Sequence, residues 1–309
     1  MPVYHSGELA IQARAGRRDM ADRVGKSIGS TIPPAAQEFL RSQPMAILGS
    51  IDPAGRLWAT MLTGAPGFMQ PVDGSTVRID TSPALGDPLR ENLTVGGQVG
   101  MLVIDLATRR RMRLNGMAET QSDGFVRVHA RQVYANCPKY IHMREWENRN
   151  TKPSTARTVR REPSLTERQQ RWIGEADTFF IASGHPDGGL DASHRGGKPG
   201  FVRVLNPRLI VWPDYAGNMM FQTLGNIAAD PHAGLLFIDF ENGSTLQLAG
   251  RARLIWDTDR MAEFPGAERI IEFDIDEVVE VTATIPLRWR FIEFSPFNPP
   301  APRRPGAAS

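Results

Sequence analysis

The densest group of ligand-binding side chains lies in the segment DASHRGGKPG, between residues 191 and 200. Here Ser193, His194 and Arg195 are followed by two glycines and Lys198, so four kinds of polar group occur close together. A dianionic phosphate needs such groups, because arginine offers a planar fork of donors, serine an O–H, and glycine a backbone that a ligand can approach closely. The segment therefore predicts a phosphate site, with a solvated hairpin bend as the alternative.

A second basic group lies in the segment TRRRMRL (108–114). On a strand, Arg109, Arg111 and Arg113 would share one face, where they could bind an anion or form a solvated charged surface. A nucleic-acid partner is not expected, because 36 Lys and Arg stand against 34 Asp and Glu, a formal net charge of +2. The chain also carries no RNA-recognition motif.

Cysteine and histidine offer little further chemistry. The one cysteine, Cys137, excludes an intrachain disulfide and a multi-cysteine metal site, and it is predicted to be a small apolar residue rather than a nucleophile. His185 and Asp187 flank a proline and are expected to form a turn, and no cluster with metal-ligand spacing is found in the sequence.

No apolar run approaches the ~18 residues of a membrane span, and the first residues lack a signal peptide's apolar stretch, so we expect a cytoplasmic protein.

These residues belong to a chain that repeats itself. At a shift of 133 residues SIDPAGRLWATMLTGAPGF (50–68) aligns with SGHPDGGLDASHRGGKPGF (183–201), and at a shift of 134 VGMLVIDL aligns with AGLLFIDF. The identical pairs include Pro53/Pro186, Gly64/Gly197, Phe68/Phe201, Asn92/Asn226 and Asp105/Asp239. A single one-residue slip over so long a match indicates a duplication rather than a shared bias toward glycine and proline.

Each copy is predicted to be a small β-barrel. A short helix is expected at 33–43 and at 164–176, with Ser164 or Thr166 as N-cap of the second, followed by several short strands joined by tight turns. The 29 glycines and 24 prolines also favour turns over long helices. Strand closure would remove exposed edges, and the lack of alternating strands and helices excludes a doubly wound Rossmann-type sheet.

The predicted organisation is an N-terminal arm (1–30), a first domain (31–160) and a second domain (161–309). After Asn136, a good N-cap, the end of the first domain is predicted to turn helical and then to continue as a basic linker over 151–164. The tail beyond about Pro300 is proline-rich and is expected to be poorly ordered.

The order of the motifs resembles one known family. The PDG turn, the KPGF bend and GNMMFQTLGNIAADPHAGLLFIDF (217–240) are similar to the pyridoxamine 5′-phosphate oxidase-like, flavin-binding split barrels, over most of 35–160 and 165–295. NCPKYIHMREW (136–146) is similar to the helix after the barrel in many members. Because members are usually homodimers with FMN at the subunit interface, the resemblance implies a mainly β fold with short helices (α+β), in which two tandem split barrels pack as a pseudo-dimer.

The resemblance also implies which residues hold the flavin phosphate. The family's positions fall here on Ser193, His194, Arg195, Asn218 and Thr223. Many members have a lysine where Thr223 stands, so one neutralising charge is missing. The first copy lacks the donors altogether, since its matching residues are Thr60, Met61, Leu62 and Leu89. We therefore expect one strong site, led by the second copy, and one degenerate site.

Other residues are implied to surround the cofactor. Asp214 and Tyr215 lie where the family's third strand ends, with Tyr215 able to pack on the flavin, whereas the nearby Trp212 is expected in the core. Asn218 could open a helix aimed at the phosphate. Arg111 and Arg113 are expected to reach across from the first copy.

The chemistry at the flavin has few candidate residues. The candidates for the substrate mouth are Lys139, Tyr140 and Arg144, and the candidate proton donors are His194 and Tyr215.

The leading hypothesis is an FMN-dependent oxidoreductase acting on a small-molecule substrate, with NADH or NADPH as a candidate partner. FAD, a deazaflavin and haem are alternative cofactors, haem with His194 as the candidate axial ligand. The alternative functions are a non-catalytic binder of flavin, haem or pyridoxal phosphate, and an electron-transfer accessory to a reductase. The sequence leaves open the substrate, the acceptor and whether tandem chains pair further as a homodimer.

Overall fold

The computed structural model describes residues 3–80, 83, 86–95, 97–120, 125–148, 158–282 and 287–300. The predicted N-terminal arm is helical in this structure. It forms α1 (Ser6–Arg14) and α2 (Arg18–Gly25). The first helix begins at a capping box, in which the His5 side chain accepts from the backbone of Gly7 and the Glu8 carboxylate accepts from the backbone of His5.

The first copy forms one seven-stranded antiparallel sheet with two helices. Its elements are α3 (Pro34–Ser42), β1 (Met45–Ile51), β2 (Leu57–Thr63), β3 (Met69–Pro71), β4 (Thr76–Ile79), α4 (Pro88–Val95), β5 (Gly97–Asp105), β6 (Arg110–Thr120) and β7 (Val126–Ala135). The strands pair in the order β2-β1-β5-β6-β7-β4-β3.

Two strands lie between the copies. They are β8 (Met143–Asn148) and β9 (Val159–Glu162). The second copy then forms α5 (Glu167–Glu175), β10 (Thr178–His185), β11 (Gly189–Gly196), β12 (Arg203–Asn206), β13 (Leu209–Tyr215), α6 (Gln222–Ala229), β14 (His232–Ile238), β15 (Thr245–Ile255), α7 (Thr258–Ala262), β16 (Ala267–Val281) and β17 (Leu287–Glu293). Its main strands pair in the order β11-β10-β14-β15-β16-β13-β12, the same as in the first copy, which confirms the duplication.

Both predicted helices at the start of the copies are confirmed. Helix α3 has Pro34 in its first turn, where the missing N–H removes no hydrogen bond. Helix α5 begins at Thr166, one of the two predicted caps, whose hydroxyl accepts from the backbone of Gln169 while the Gln169 side chain accepts from the backbone of Thr166.

Strand closure and the helix after Asn136 were wrong predictions. Within the described residues the two sheets are open, with β2 and β3 at opposite ends of one and β11 and β12 at opposite ends of the other. Residues 136–142 form a loop with Tyr140 at φ 66°, and 143–148 form β8 because β17, distant in sequence, supplies its hydrogen-bond partners. The linker is also partly a strand, since β9 pairs with β16. Residues 151–157 and the tail beyond Pro300 lie outside the described residues.

The two copies pack edge strand against sheet, with β11 on β5 and β2 on β14, so that one edge strand of each sheet is covered by the other copy. A buried cluster shared by both copies fills the seam, with Met45, Ile47 and Ala59 from the first copy and Phe180 and Leu236 from the second. Each copy also has its own apolar core. No helix in the described part of the chain is both long and apolar enough to cross a membrane.

Two glycines at equivalent repeat positions allow this close approach. A Cβ on Gly100 of β5 would lie 2.5 Å from the backbone of Asp191 in β11. A Cβ on Gly234 of β14 would lie 2.5 Å from the carbonyl oxygen of Leu57 in β2. Any side chain there would push the copies apart, and it is β11, held at this seam, that carries the predicted phosphate residues.

Candidate functional site

A cavity of about 90 Å³ lies at the junction of the two copies, beside β11. Its walls come from β6 and the 136–142 loop of the first half and from β11, β13, α6 and β16 of the second. The residues around it include Arg111, Arg113, Lys139, Tyr140, Ser193, His194, Arg195, Asp214, Tyr215, Asn218, Gln222, Thr223 and Arg269. Most of the predicted site residues are therefore brought together, from both halves of the chain.

A larger cavity, of about 770 Å³, lies elsewhere, between α5, the β14–β15 turn and β17. Arg144 lines that cavity and not the smaller one, and its Nη2 pairs with Asp177 at 2.7 Å. The structure thus places Arg144 away from Lys139 and Tyr140, with which it was grouped as a substrate-mouth residue. We locate the candidate site at the smaller cavity because five cationic side chains converge there against one carboxylate.

Arg113 is held behind the cavity by a buried network. Its Nη1 donates to both Asp191 carboxylate oxygens, at 3.1 and 2.9 Å, and to Gln222 Oε1 at 3.1 Å. Tyr134 also donates its O–H to Asp191, at 3.2 Å. Burial alone would lower the pKa of Arg113, but the Asp191 carboxylate raises it above its ordinary value. Arg113 is therefore a fixed positive charge whose donors are mostly occupied within the protein.

Ser193 joins two guanidinium groups. Its Oγ accepts from Arg113 Nη2 at 2.5 Å and from Arg195 Nη1 at 2.7 Å. Arg195 also donates from Nη1 to the carbonyl of His194, so its Nε and Nη2 have no protein partner among the described residues. Burial lowers the pKa of Arg195, which means that its charge is poorly compensated in the folded protein. Arg195 thus presents spare donors to the cavity, oriented by Ser193.

Arg111 adds a second charge with spare donors. Its Nε donates to the carbonyl of Cys137 at 3.0 Å, and its Nη1 lies 3.4 Å from His194 Nδ1. Burial, followed by the charges of Arg113 and Arg195, lowers the pKa of Arg111 to about 10. A guanidinium destabilised in this way gains from any anion that enters the cavity.

His194 lies on the other face of β11, against Phe180. Burial and the Arg111 charge lower its pKa well below the ordinary value, so the ring is neutral. An arginine can only donate, so His194 Nδ1 accepts and the proton lies on Nε2, a buried atom without a partner among the residues that the structure describes.

The far wall of the cavity is formed by an ion pair and two tyrosines. Arg269 of β16 donates from Nε and Nη2 to Asp214, at 2.9 and 2.8 Å. Burial raises the pKa of Asp214 despite this pair. The rings of Tyr140 and Tyr215 lie 5.3 Å apart, and burial raises the pKa of each to about 12. Tyr215, a candidate proton donor, therefore keeps its proton at neutral pH and is a poor acid catalyst.

The segment before α6 closes the cavity with a strained backbone. Met219 and Phe221 have φ values of 65° and 62°, in the left-handed region that costs a non-glycine residue about 1–2 kcal/mol. Asn218 does not open the helix, because α6 has Phe221 at its N-cap position and Asn218 Oδ1 accepts from the backbone of Met220. Thr223 lies in the first turn of α6 and is buried.

Sequence reasoning missed Arg269, Gln222 and the buried pair of Tyr134 and Asp191 behind Arg113. Arg269 comes from a long strand that was not predicted, and its only signal is a charge next to the apolar pair Ile270 and Ile271. Of the arginines expected on one face, Arg111 and Arg113 reach β11 at the cavity, whereas Arg109 lies before β6 and binds the carbonyl of Ile141 and Glu293 of β17.

The equivalent place in the first copy has lost its positive charges. Thr60 matches Ser193 and Gln247 matches Arg113 in the repeat, and Gln247 Nε2 donates to Thr60 Oγ1 at 2.8 Å. Thr60 in turn donates to Asp87 at 2.8 Å, and the neighbouring Leu89 is fully buried. The same strand geometry therefore holds a neutral hydrogen-bonded pair where the second copy holds arginine and serine.

The comparisons with known proteins agree with the duplication. The profile of the pyridoxamine 5′-phosphate oxidase family matches residues 32–160 and again residues 165–286. The chain belongs to this family, in a tandem form with two copies of the split barrel. No curated protein matches the chain.

Several solved structures match one copy at low similarity. HupZ of Group A Streptococcus is 10% identical over 36% of this chain and 90% of its own, with a TM-score of 0.30. An FMN-binding protein from Syntrophomonas wolfei is 9% identical over 37% and 84%, with a TM-score of 0.28. General Stress Protein 26 from Bacillus anthracis is 10% identical over 39% and 93%, with a TM-score of 0.28. The family assignment rests on the profile.

Proposed function

We propose that the chain is an FMN-dependent oxidoreductase whose cofactor phosphate binds in the cavity at the junction of the two copies. The observation that carries this proposal is the charge of the cavity. Five cationic side chains line it. Three carboxylates oppose them: Asp214, which also lines the cavity, Asp191 behind Arg113, and Glu268 beside Arg269. The excess of two positive charges matches a phosphate monoester, which carries about −1.5 to −2 at neutral pH.

The residues present fit a phosphate group. Arg111, Arg195 and Arg269 each keep at least one N–H donor that no described protein atom accepts. Charge-assisted hydrogen bonds to phosphate are shorter and stronger than neutral ones. Arg195 takes over the neutralising role that a lysine at the position of Thr223 has in many family members.

The enclosed volume of about 90 Å³ is far below the ~300–1,000 Å³ of pockets that bury a whole cofactor-sized ligand. The cavity therefore accommodates the phosphate end, and the half-buried Lys139, Tyr140 and Tyr215 are the residues available to contact the remainder. A bound flavin would supply hydride transfer at its ring, while these side chains would bind and orient it. The tyrosines, with pKa values of about 12, would act as hydrogen-bond donors rather than acids.

Haem is less well supported as the cofactor. His194, the candidate axial ligand, is only 3% exposed, and its Nδ1 faces the Arg111 guanidinium. An iron centre would need a ring nitrogen at the surface of the cavity.

Binding of FMN, riboflavin and inorganic phosphate to ligand-free protein tests the proposal. We expect FMN to bind at least tenfold more tightly than riboflavin, which lacks the phosphate, and inorganic phosphate to compete with FMN. Equal binding of FMN and riboflavin would show that the cationic cavity does not hold the phosphate. Oxidation of NADH or NADPH that depends on added FMN would then establish the oxidoreductase activity.

A further inference from the structure

Helix α1 of the N-terminal arm packs against the second copy, next to the cavity, while Gly29 at the end of the arm pairs with Val133 of β7 in the first copy. Helix α1 lies on α6, where a Cβ on Gly7 would be 2.2 Å from the carbonyl oxygen of Gly225 and a Cβ on Gly225 would be 2.6 Å from the Glu8 backbone. Glycine on both helices is thus required for this contact. In the first copy the residue that matches Gly225 is Glu91. A side chain at that position is incompatible with the same contact.

The arm also makes specific polar contacts with the second copy. Neutral His5 accepts from the backbone of Gly7 at Nδ1, so its Nε2–H donates to Asn226 Oδ1 at 2.8 Å. The His5 ring stacks on His185 at 3.9 Å between centroids. The Asn226 side chain donates a hydrogen bond to Ser183 Oγ, just as Asn92 donates to Ser50 Oγ in the first copy. Beside Ser50 and Asn92, a hollow of about 210 Å³ lies open.

One of the arm's contacts reaches the strained segment that closes the cavity. Gln12 is fully buried, and its Nε2 donates to the carbonyl of Met220 at 3.0 Å. Met220 lies between Met219 and Phe221, the two residues with left-handed backbone that line the cavity. A strained backbone persists only where its surroundings hold it, and the Gln12 amide is one such restraint.

Two further contacts extend the arm to other walls of the cavity. Arg14 lies over the Trp256 ring at 4.3 Å, and Arg269 of the cavity contacts the same ring at 5.2 Å. Tyr4 and Met220 share a buried cluster with Tyr134, which holds Asp191 behind Arg113.

We propose that the N-terminal arm is part of the anion site, with Gln12 as a positioning residue that holds the 219–221 segment in its binding conformation. The inference rests on the proposed function, since it names the element that completes the same site. Arm docking and anion binding are then coupled, and the coupling must be reciprocal: bound anion strengthens arm docking by the factor by which the docked arm strengthens anion binding.

The test compares three full-length variants with the wild type. Gln12→Leu keeps the buried volume but removes the donor to Met220, and Gly7→Ala inserts a methyl group between α1 and α6. The matched control is Gln37→Leu in α3, because the Gln37 amide likewise donates to a backbone carbonyl, that of Ile32 at 3.0 Å, and Gln37 is not among the residues that line the cavity. Dissociation constants for FMN and inorganic phosphate are measured together with amide hydrogen exchange.

We expect Gln12→Leu to weaken the binding of FMN and of inorganic phosphate about five- to tenfold, because one buried hydrogen bond is lost. Hydrogen exchange at Met219–Thr223 should rise by at least the same factor, whereas Gln37→Leu should change the affinities and this exchange less than twofold. In the wild type, FMN should slow exchange in α1. Unchanged affinity in Gln12→Leu and Gly7→Ala, with wild-type binding intact, would overturn the inference.

Failure of the proposed function would look different. If the wild type binds neither FMN nor phosphate, the function is wrong and the coupling falls with it. Exchange at Met219–Thr223 in Gln12→Leu still reports whether the arm restrains the segment. If Gly7→Ala fails to fold, Gln12→Leu decides alone.

Discussion

Replacing Arg195 with glutamine should weaken anion binding without weakening the fold. Keeping Arg111 charged already costs about 3 kcal/mol, because burial and the neighbouring Arg113 and Arg195 lower its pKa from 12.5 to about 10. The pKa of Arg195 is itself lowered by burial, so its charge is a further cost in the ligand-free protein. Arg195→Gln removes that charge and relieves Arg111, and the free energy of unfolding should stay constant or rise by up to about 1 kcal/mol.

The same substitution replaces the charged guanidinium donors that face the cavity with the neutral donors of a shorter amide. Charge-assisted hydrogen bonds contribute about 1.5–3 kcal/mol each, so FMN and phosphate should bind roughly 10- to 150-fold more weakly. Arg253→Gln is the matched control, because Arg253 is 57% exposed, pairs with Glu272 and does not line the cavity, while the change in net charge is the same. Calorimetric titration gives the affinity, and urea unfolding without ligand gives the stability.

The opposite pattern would refute the reasoning. If Arg195→Gln lowers the unfolding free energy by more than about 1 kcal/mol and leaves FMN affinity unchanged, Arg195 is a structural residue and the cavity's charge serves the fold. If Arg195→Gln and Arg253→Gln lower the FMN affinity equally, the anion responds only to the protein's net charge and not to the position of Arg195.

Three other substitutions test the remaining parts of the structure. Burial raises the pKa of Glu8 to about 8, so the folded protein keeps a proton that the unfolded chain releases near pH 4.5. About 5 kcal/mol of stability should therefore be lost between pH 4.5 and pH 8. Glu8→Gln should abolish this decline, measured by urea unfolding at pH 5 and pH 9, and an unchanged decline would contradict the prediction. Arg144→Gln should leave Asp177 without its partner and lower stability by about 3 kcal/mol with FMN affinity unchanged, and a matching loss of affinity would restore Arg144 to the substrate mouth. Gly100→Ala should force the halves apart at Asp191 and lower the unfolding free energy by about 1–3 kcal/mol, whereas a neutral effect would show that the seam is not tightly packed.

The repeated core of the fold was predictable because its signals are local. Apolar runs and turn residues placed β1, β2, β10 and β11, and Thr166, one of two candidate N-caps, marked the start of α5. Strand β8 was mistaken for a helix because its hydrogen-bond partners lie in β17, about 140 residues away. Closure was wrong for a related reason: the pattern of one copy cannot show that the other copy covers its edge.

The candidate site was predictable in part. Arg195 and Ser193 stood out as a cluster, and comparison of the copies isolated them from the bend that both retain. Arg269 and Gln12 could not be found in this way, because each lies in an element whose position is set only by tertiary packing. The mismatch of Gly225 with Glu91 was visible in the alignment of the repeats, yet its meaning depends on knowing that a helix packs there.

Joining the two barrels in one chain permits an asymmetry that a homodimer cannot have. In a two-fold dimer every substitution occurs in both sites, so a change that neutralises one site also destroys the other. Here Gln247 and Thr60 form a neutral pair on one side, while Arg113 and Ser193 keep a charged arrangement on the other. Because clustered buried arginines destabilise a fold, neutralising one side removes that cost once and leaves the cationic side free to bind an anion. The packing of the arm is asymmetric in the same way, because α1 fits only beside Gly225 in the second copy.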